Sequence, residues 1–157
     1  MKAATIQEIR RELNDLSQPQ LTALCLRLAK FKKENKELLT YLLFESFDET
    51  AYINGVKKEI EDGFIQINTS SLYFVKKSLR KILRQTLKHI RYMGSDEAEI
   101  QLLLFFCNKL RSSGVPYESS QVIVNMLKGQ VKKAADLIAS LHDDLQYEYL
   151  KELKQLQ

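Results

Sequence analysis

Five cations and a tyrosine fall on one line of a single stretch of this chain, and they are the side chains best placed to do chemistry. Tyr73, Lys77, Arg80, Arg84, Lys88 and Arg91 are spaced by four, three, four, four and three residues, the spacing that puts side chains on one face of a helix. Lys81 lies beside the line, and Phe74 and Tyr92 share one angle at its far edge. Guanidinium and ammonium groups in a row bind anions, and arginine does so with a planar fork that matches phosphate and carboxylate. From Lys77 to Arg91 the row would extend about 21 Å at 1.5 Å per residue. Such a row could follow a phosphate backbone while Tyr73 or Tyr92 stacks on a base or ribose. Lys32, Lys33 and Lys36 could add to the patch if the fold brings them near. The competing reading is that the cations are simply solvated, or pair with Glu59, Glu61, Asp62, Glu97 and Glu99 on neighbouring helices, contacts worth little at a surface.

Other reactive side chains form no recognisable constellation. His89 and His142 are the only histidines, and neither belongs to a metal or triad pattern. His89 falls at the margin of an apolar arc, where a partly buried, hydrogen-bonded imidazole is expected. His142-Asp143-Asp144 reads as a helix start, since adjacent helical residues do not converge on one ion. The pairs Asp48-Glu49, Asp96-Glu97 and Asp143-Asp144 each open a predicted helix, where capping accounts for them. The sequence contains no Gly-rich phosphate loop, no G-x-S-x-G elbow and no spaced Cys/His set. Catalytic residues, cofactor and metal ligands are therefore all expected to be none. Cys25 and Cys107 sit inside apolar patterns and read as buried reduced thiols, suiting a cytoplasmic location.

The charge distribution singles out the same stretch. Between Asp62 and Asp96 there is no acidic residue but there are seven basic ones, Lys76 included, so this segment carries +7 where residues 1–62 carry −1 and residues 96–157 carry −2. The net charge of +4 is set there, and a concentrated charge points to a partner of opposite sign.

The elements that must position these residues are helices. With five Gly and two Pro in 157 residues, the chain lacks the turn chemistry of a sheet-rich fold. The N-terminus carries charges where a signal peptide needs an apolar run, and Ile100–Cys107, the most apolar stretch, is too short to cross a bilayer. Thr5 and Glu8 form a capping-box pattern that opens a first helix to about Leu16. A second is expected over about Pro19–Lys33, with Leu21, Leu24, Cys25, Leu28 and Phe31 facing inward. Asn35 is the expected cap of a third, and Asp48 of a fourth over about 49–66. The basic helix spans about Leu72–Tyr92, burying an arc of Leu72, Val75, Leu79, Ile82, Leu83, Thr86, Leu87, Ile90 and Met93, and stops at Gly94. Ser95 caps a helix apolar nearly all round, the pattern of a bundle centre. From Glu118 a long stripe runs to Leu156, with Gly129 and His142 as candidate breaks and the latter favoured.

These readings give an all-α fold, one domain over 1–157, with seven or eight helices packed as successive antiparallel αα-hairpins in a helical stack or superhelix-like bundle. The layout is like armadillo- or HEAT-type hairpin stacks in architecture only, because no repeat consensus is present. The leading functional expectation is a non-catalytic scaffold or adaptor that binds another macromolecule, with a protein favoured. The alternative is nucleic-acid binding through Lys77, Arg80, Lys81, Arg84, Lys88, Arg91 and Tyr73, and an enzyme with a pocket invisible in sequence comes third. Exposed aromatics among Tyr41, Phe44, Phe47, Tyr52, Tyr117, Tyr147 and Tyr149 would mark a protein interface. The stripe Leu141-Leu145-Tyr149-Leu153-Leu156 could pair with a second copy. Membrane insertion is not expected, since the apolar arc of the basic helix is needed for the core.

Overall fold

A computed structural model describes residues 1–156, and every regular element among them is helical. In chain order these are α1 (Ile6–Asn14), α2 (Gln18–Phe31), α3 (Lys33–Thr40), a π-helical turn (Tyr41–Glu45), α4 (Glu49–Ile65), α5 (Leu72–Met93), α6 (Asp96–Ser112), a 3-10 turn (Tyr117–Ser119), α7 (Gln121–Ile138) and α8 (Asp143–Leu156). No helix among the described residues is long and apolar enough to cross a membrane. The chain divides into two compact units, Met1–Glu45 and Ser46–Gln157, at a place that no Gly- or Pro-rich linker marks in the sequence.

In the larger unit, helices pack as the consecutive pairs α4–α5 and α6–α7, with α8 lying on both α6 and α7. The centre is α6. Its Ile100, Leu102, Leu103, Leu104, Phe106, Cys107 and Leu110 have no exposed surface, because neighbours cover most of its circumference: α4, α5, α7 and α8. A helix with so narrow a polar flank is stable only where neighbours cover the rest. Polar side chains on its flank tie down α8: Asn108 Nδ2 donates to Glu152 Oε1 at 2.8 Å and Arg111 Nη1 to the Gln155 carbonyl at 2.6 Å. The C-terminal stripe is spent largely within the chain, with Leu153 and Leu156 buried and Leu141 and Tyr149 packed against the core.

Boundaries follow local chemistry. Asp48 accepts the Ala51 amide at 2.9 Å and Ser95 that of Ala98 at 3.3 Å, relieving donors that a helix start leaves unpaired. Gly94 closes α5 in the left-handed region at φ 61°, where a side chain would be strained. The stripe from Glu118 is two helices, broken before Asp143 near the favoured His142, and Gly129 is an interior residue of α7.

The smaller unit departs from expectation. Thr5 and Glu8 do form the capping box, with two hydrogen bonds from Thr5 to Glu8 Oε2 at 2.7 and 2.8 Å. A second box, Ser17 with Gln20, opens α2. Asn35, however, does not cap α3: the helix begins at Lys33, and the Asn35 amide donates back to the Leu28 carbonyl at 2.9 Å, joining the ends of α2 and α3. The expected inner face of α2 is largely uncovered. Leu24, Leu28 and Phe31 are 39, 54 and 75 % exposed, and Cys25 is exposed rather than buried. Helical periodicity says which face is apolar, but not that another element meets it.

Candidate functional site

The residues of interest lie on α5, which owes its length to an unbroken apolar arc and a firm stop at each end. Ser71 caps its start and Gly94 ends it. Val75, Leu79, Ile82, Leu83, Thr86 and Ile90 are buried, and the Thr86 hydroxyl, which could not stay unpaired there, donates to the Ile82 carbonyl at 3.0 Å. Leu87 and Met93 pack against the core, whereas Leu72 is half-exposed. With that arc committed, Tyr73, Lys77, Arg80, Lys81, Arg84 and Arg91 are exposed and Lys88 is partly covered.

The structure sorts the row into two faces. Arg80, Arg84 and Arg91 line a groove of about 670 Å³ with Leu83, Leu87 and Ile90 as floor. Its far wall is the Gly94-Ser95 turn, Asp96 and Glu99 of α6, and Lys133 of α7. Lys81 instead turns to the other flank of α5, into a cleft of about 330 Å³ against α4 that it shares with Glu59, Asp62, Gln85 and His89. Lys77 and Tyr73 continue the arginine line beyond the groove, and Lys88 lies over the Tyr92 ring at 5.9 Å from its centre. Lys32, Lys33 and Lys36 belong to the other compact unit.

The acids expected to neutralise the row are mostly engaged elsewhere. Glu59 approaches His89 at 3.3 Å, Glu61 takes Lys109, and Glu99 takes Lys133. Glu97 accepts the Tyr149 hydroxyl at 2.8 Å. Among the described residues no ion pair forms on Lys77, Arg80, Lys81, Arg84 or Arg91. Four cations, the three arginines and Lys133, thus stand against two carboxylates in the groove, and one of those carboxylates is already held by Lys133. Sequence reasoning missed Lys133, which lies 42 residues beyond Arg91 on another helix and carries no local signal.

His89 is partly buried and hydrogen-bonded, as its position on the helix suggested. Its Nδ1 is 2.8 Å from the Tyr52 hydroxyl and its Nε2 faces Glu59, so one imidazole ties α5 to two points of α4. The Tyr52 and Tyr92 rings meet it edge-on. His142 lies on the surface 3.8 Å from Asp144, and no cluster of three or more metal-binding side chains forms among the described residues. Burial pushes the Cys107 thiol up to about 12, which keeps it protonated and unreactive at neutral pH.

Fold and face together define a helical bundle with an open cationic groove along one helix. Comparison with protein-family models, with curated proteins and with solved structures returns no match.

Proposed function

We propose that this chain is a non-catalytic helical binding module that docks an acidic macromolecule on the Arg80–Arg84–Arg91 face of α5. One observation carries the reading: of the two carboxylates in the groove, Asp96 and Glu99, the latter is held by Lys133, and among the described residues no acid pairs with Arg80, Arg84 or Arg91. Guanidinium groups without an acidic partner, set beside an apolar floor, are available to an anionic ligand that can fork onto them. The His89 cleft supports a binding role more than a catalytic one, because the imidazole is occupied joining two helices. The free thiols of Cys25 and Cys107 suit a reducing, cytoplasmic compartment.

Polarisation titrations with labelled heparin and labelled polyglutamate test this directly. Binding at low salt that weakens as salt rises, and that Arg80→Glu with Arg84→Glu abolishes, is the expected result. No binding of heparin, polyglutamate or a nucleic acid to the wild type would overturn it.

A second reading rests on Met1–Glu45. There Leu26, Leu39, Leu43 and Phe44 line a groove of about 570 Å³ flanked by Lys30, Lys32, Lys33 and Lys36, a surface matched to the two faces of an acidic amphipathic helix. This would be the protein-binding side of an adaptor. A partner retained by the wild type and released by Leu43→Glu with Phe44→Glu supports it; equal retention dismisses it.

A further inference from the structure

We infer that the ligand of the α5 face is a single-stranded nucleic acid, its phosphates held by Arg80, Arg84 and Arg91 and a base stacked on Tyr73. This rests on the reading of that face as an acidic-macromolecule site and names the macromolecule.

Two features favour a nucleic-acid strand, the first over a small anion and the second over an acidic polypeptide. The first is extent. Arg80 to Arg91 covers about 16 Å of helix and Lys77 adds another turn, so the ligand must carry several negative charges in a line. The second is Tyr73. It lies within about 20° of Arg84 and Arg91 around the helix, yet it is 65 % exposed, with its ring steadied edge-on by Phe74 at 5.4 Å. A carboxylate-rich peptide has no use for an upright aromatic at the end of an arginine row. Nucleic-acid bases do, because each has a π-face. The floor of Leu83, Leu87 and Ile90 beneath the guanidinium groups accommodates a sugar face but does not by itself choose between a strand and a peptide.

A duplex fits less well. Its bases are stacked internally and only its backbone could reach the groove, leaving Tyr73 idle. Asp96 stands at the Gly94 end of the groove, and its negative charge sets the limit of phosphate contact there. The strand therefore runs from that end toward Tyr73. Nothing in this arrangement reads base edges, so sequence preference should be slight.

The test is a polarisation titration of the full chain with fluorescein-labelled oligo-dT of about 12 nucleotides, alongside a duplex of equal length, heparin and polyglutamate. Three phosphate contacts on a single strand predict a log–log salt slope near −2, or about a twentyfold loss between about 50 and 200 mM salt. Arg84→Gln should reduce that slope by about 0.7. Tyr73→Ala should weaken oligo-dT binding about tenfold while leaving the salt slope and the heparin affinity unchanged. Tighter binding to the duplex, or no effect of Tyr73→Ala, overturns the inference. Arginine-dependent binding of heparin or polyglutamate without oligo-dT overturns it too, but leaves the acidic-macromolecule reading standing. Failure to bind any of these polymers removes both.

Discussion

Glu99 gives its buried Oε1 to the ammonium of Lys133, and not to any of the three arginines that share its groove. Glu99 lies in the first turn of α6, where the helix dipole already favours a carboxylate. Lys133 reaches it from α7, so an ion pair between two core helices leaves the third, α5, with its charge intact. The Glu99→Gln variant removes one negative charge from the groove and loosens Lys133. Heparin affinity should rise several-fold, and thermal stability should fall by about 1 kcal/mol, since Lys133 is half-exposed and screened. Titration and melting of the variant beside the wild type measure both. An unchanged affinity would mean that the ligand does not feel the charge of this groove.

Three helical glycines should respond to alanine in opposite directions. A Cβ at Gly63 would lie 2.8 Å from Cγ1 of Ile82, whereas one at Gly55 or Gly129 would meet nothing within 4 Å. Ile82 is β-branched and buried, with little rotamer freedom to give. Gly63 is thus a point of close approach between α4 and α5, and it helps line the cleft that holds Lys81 and His89. Gly63→Ala should destabilise by about 1–3 kcal/mol through overpacking. Gly55→Ala and Gly129→Ala should each stabilise by about 0.5–1 kcal/mol through helix propensity. Denaturant midpoints for the three variants decide the matter, and a common sign for all three would contradict the packing described.

Much of the fold was legible because caps and periodicity are local. Asp48, Gly94 and Ser95 each bound a helix within a residue or two of expectation, and the largely apolar circumference of α6 marked the bundle centre. What sequence could not convey is which surfaces meet. Leu28 and Phe31 look like core by spacing yet stand exposed, because an apolar stripe records a preference and not a neighbour. The cationic row was visible, but its division was not. Lys81 lies about 60° around the helix from Arg84, enough for α4 to flank one and α6 the other. That Glu59, Glu61, Glu97 and Glu99 would find His89, Lys109, Tyr149 and Lys133 depends on tertiary contacts spanning tens of residues.

The two thiols give a simple check on burial. Cys25 is exposed and Cys107 has no accessible surface. In native buffer a disulfide-exchange reagent should modify Cys25 within seconds to minutes and Cys107 only as fast as the bundle opens, with both reacting quickly in denaturant. Cys25→Ser should eliminate the fast phase. If Cys107 reacts as readily as Cys25 in the folded protein, α6 is not the covered centre described.

Alkaline pH should loosen the docking of α8. Tyr149 donates its hydroxyl to Glu97 Oε1 at 2.8 Å and accepts from Gln101 Nε2 at 3.2 Å. Burial first, then the acceptor and charge of Glu97, push this phenol from an ordinary 10.0 up to about 12. The fold holds the neutral form, so the stabilisation is complete below pH 10 and is lost as pH rises through about 12. Cys107 adds a second loss that begins near its ordinary 9.0 and ends at about 12, from burial alone. The melting temperature should therefore decline between about pH 9 and 12. In Tyr149→Phe the decline above pH 10 should be shallower, although the variant starts about 1 kcal/mol less stable because Glu97 loses its donor. Comparing the two profiles cancels the titrations they share. Parallel profiles above pH 10 would mean that the Tyr149–Glu97 contact does not hold α8 to α6.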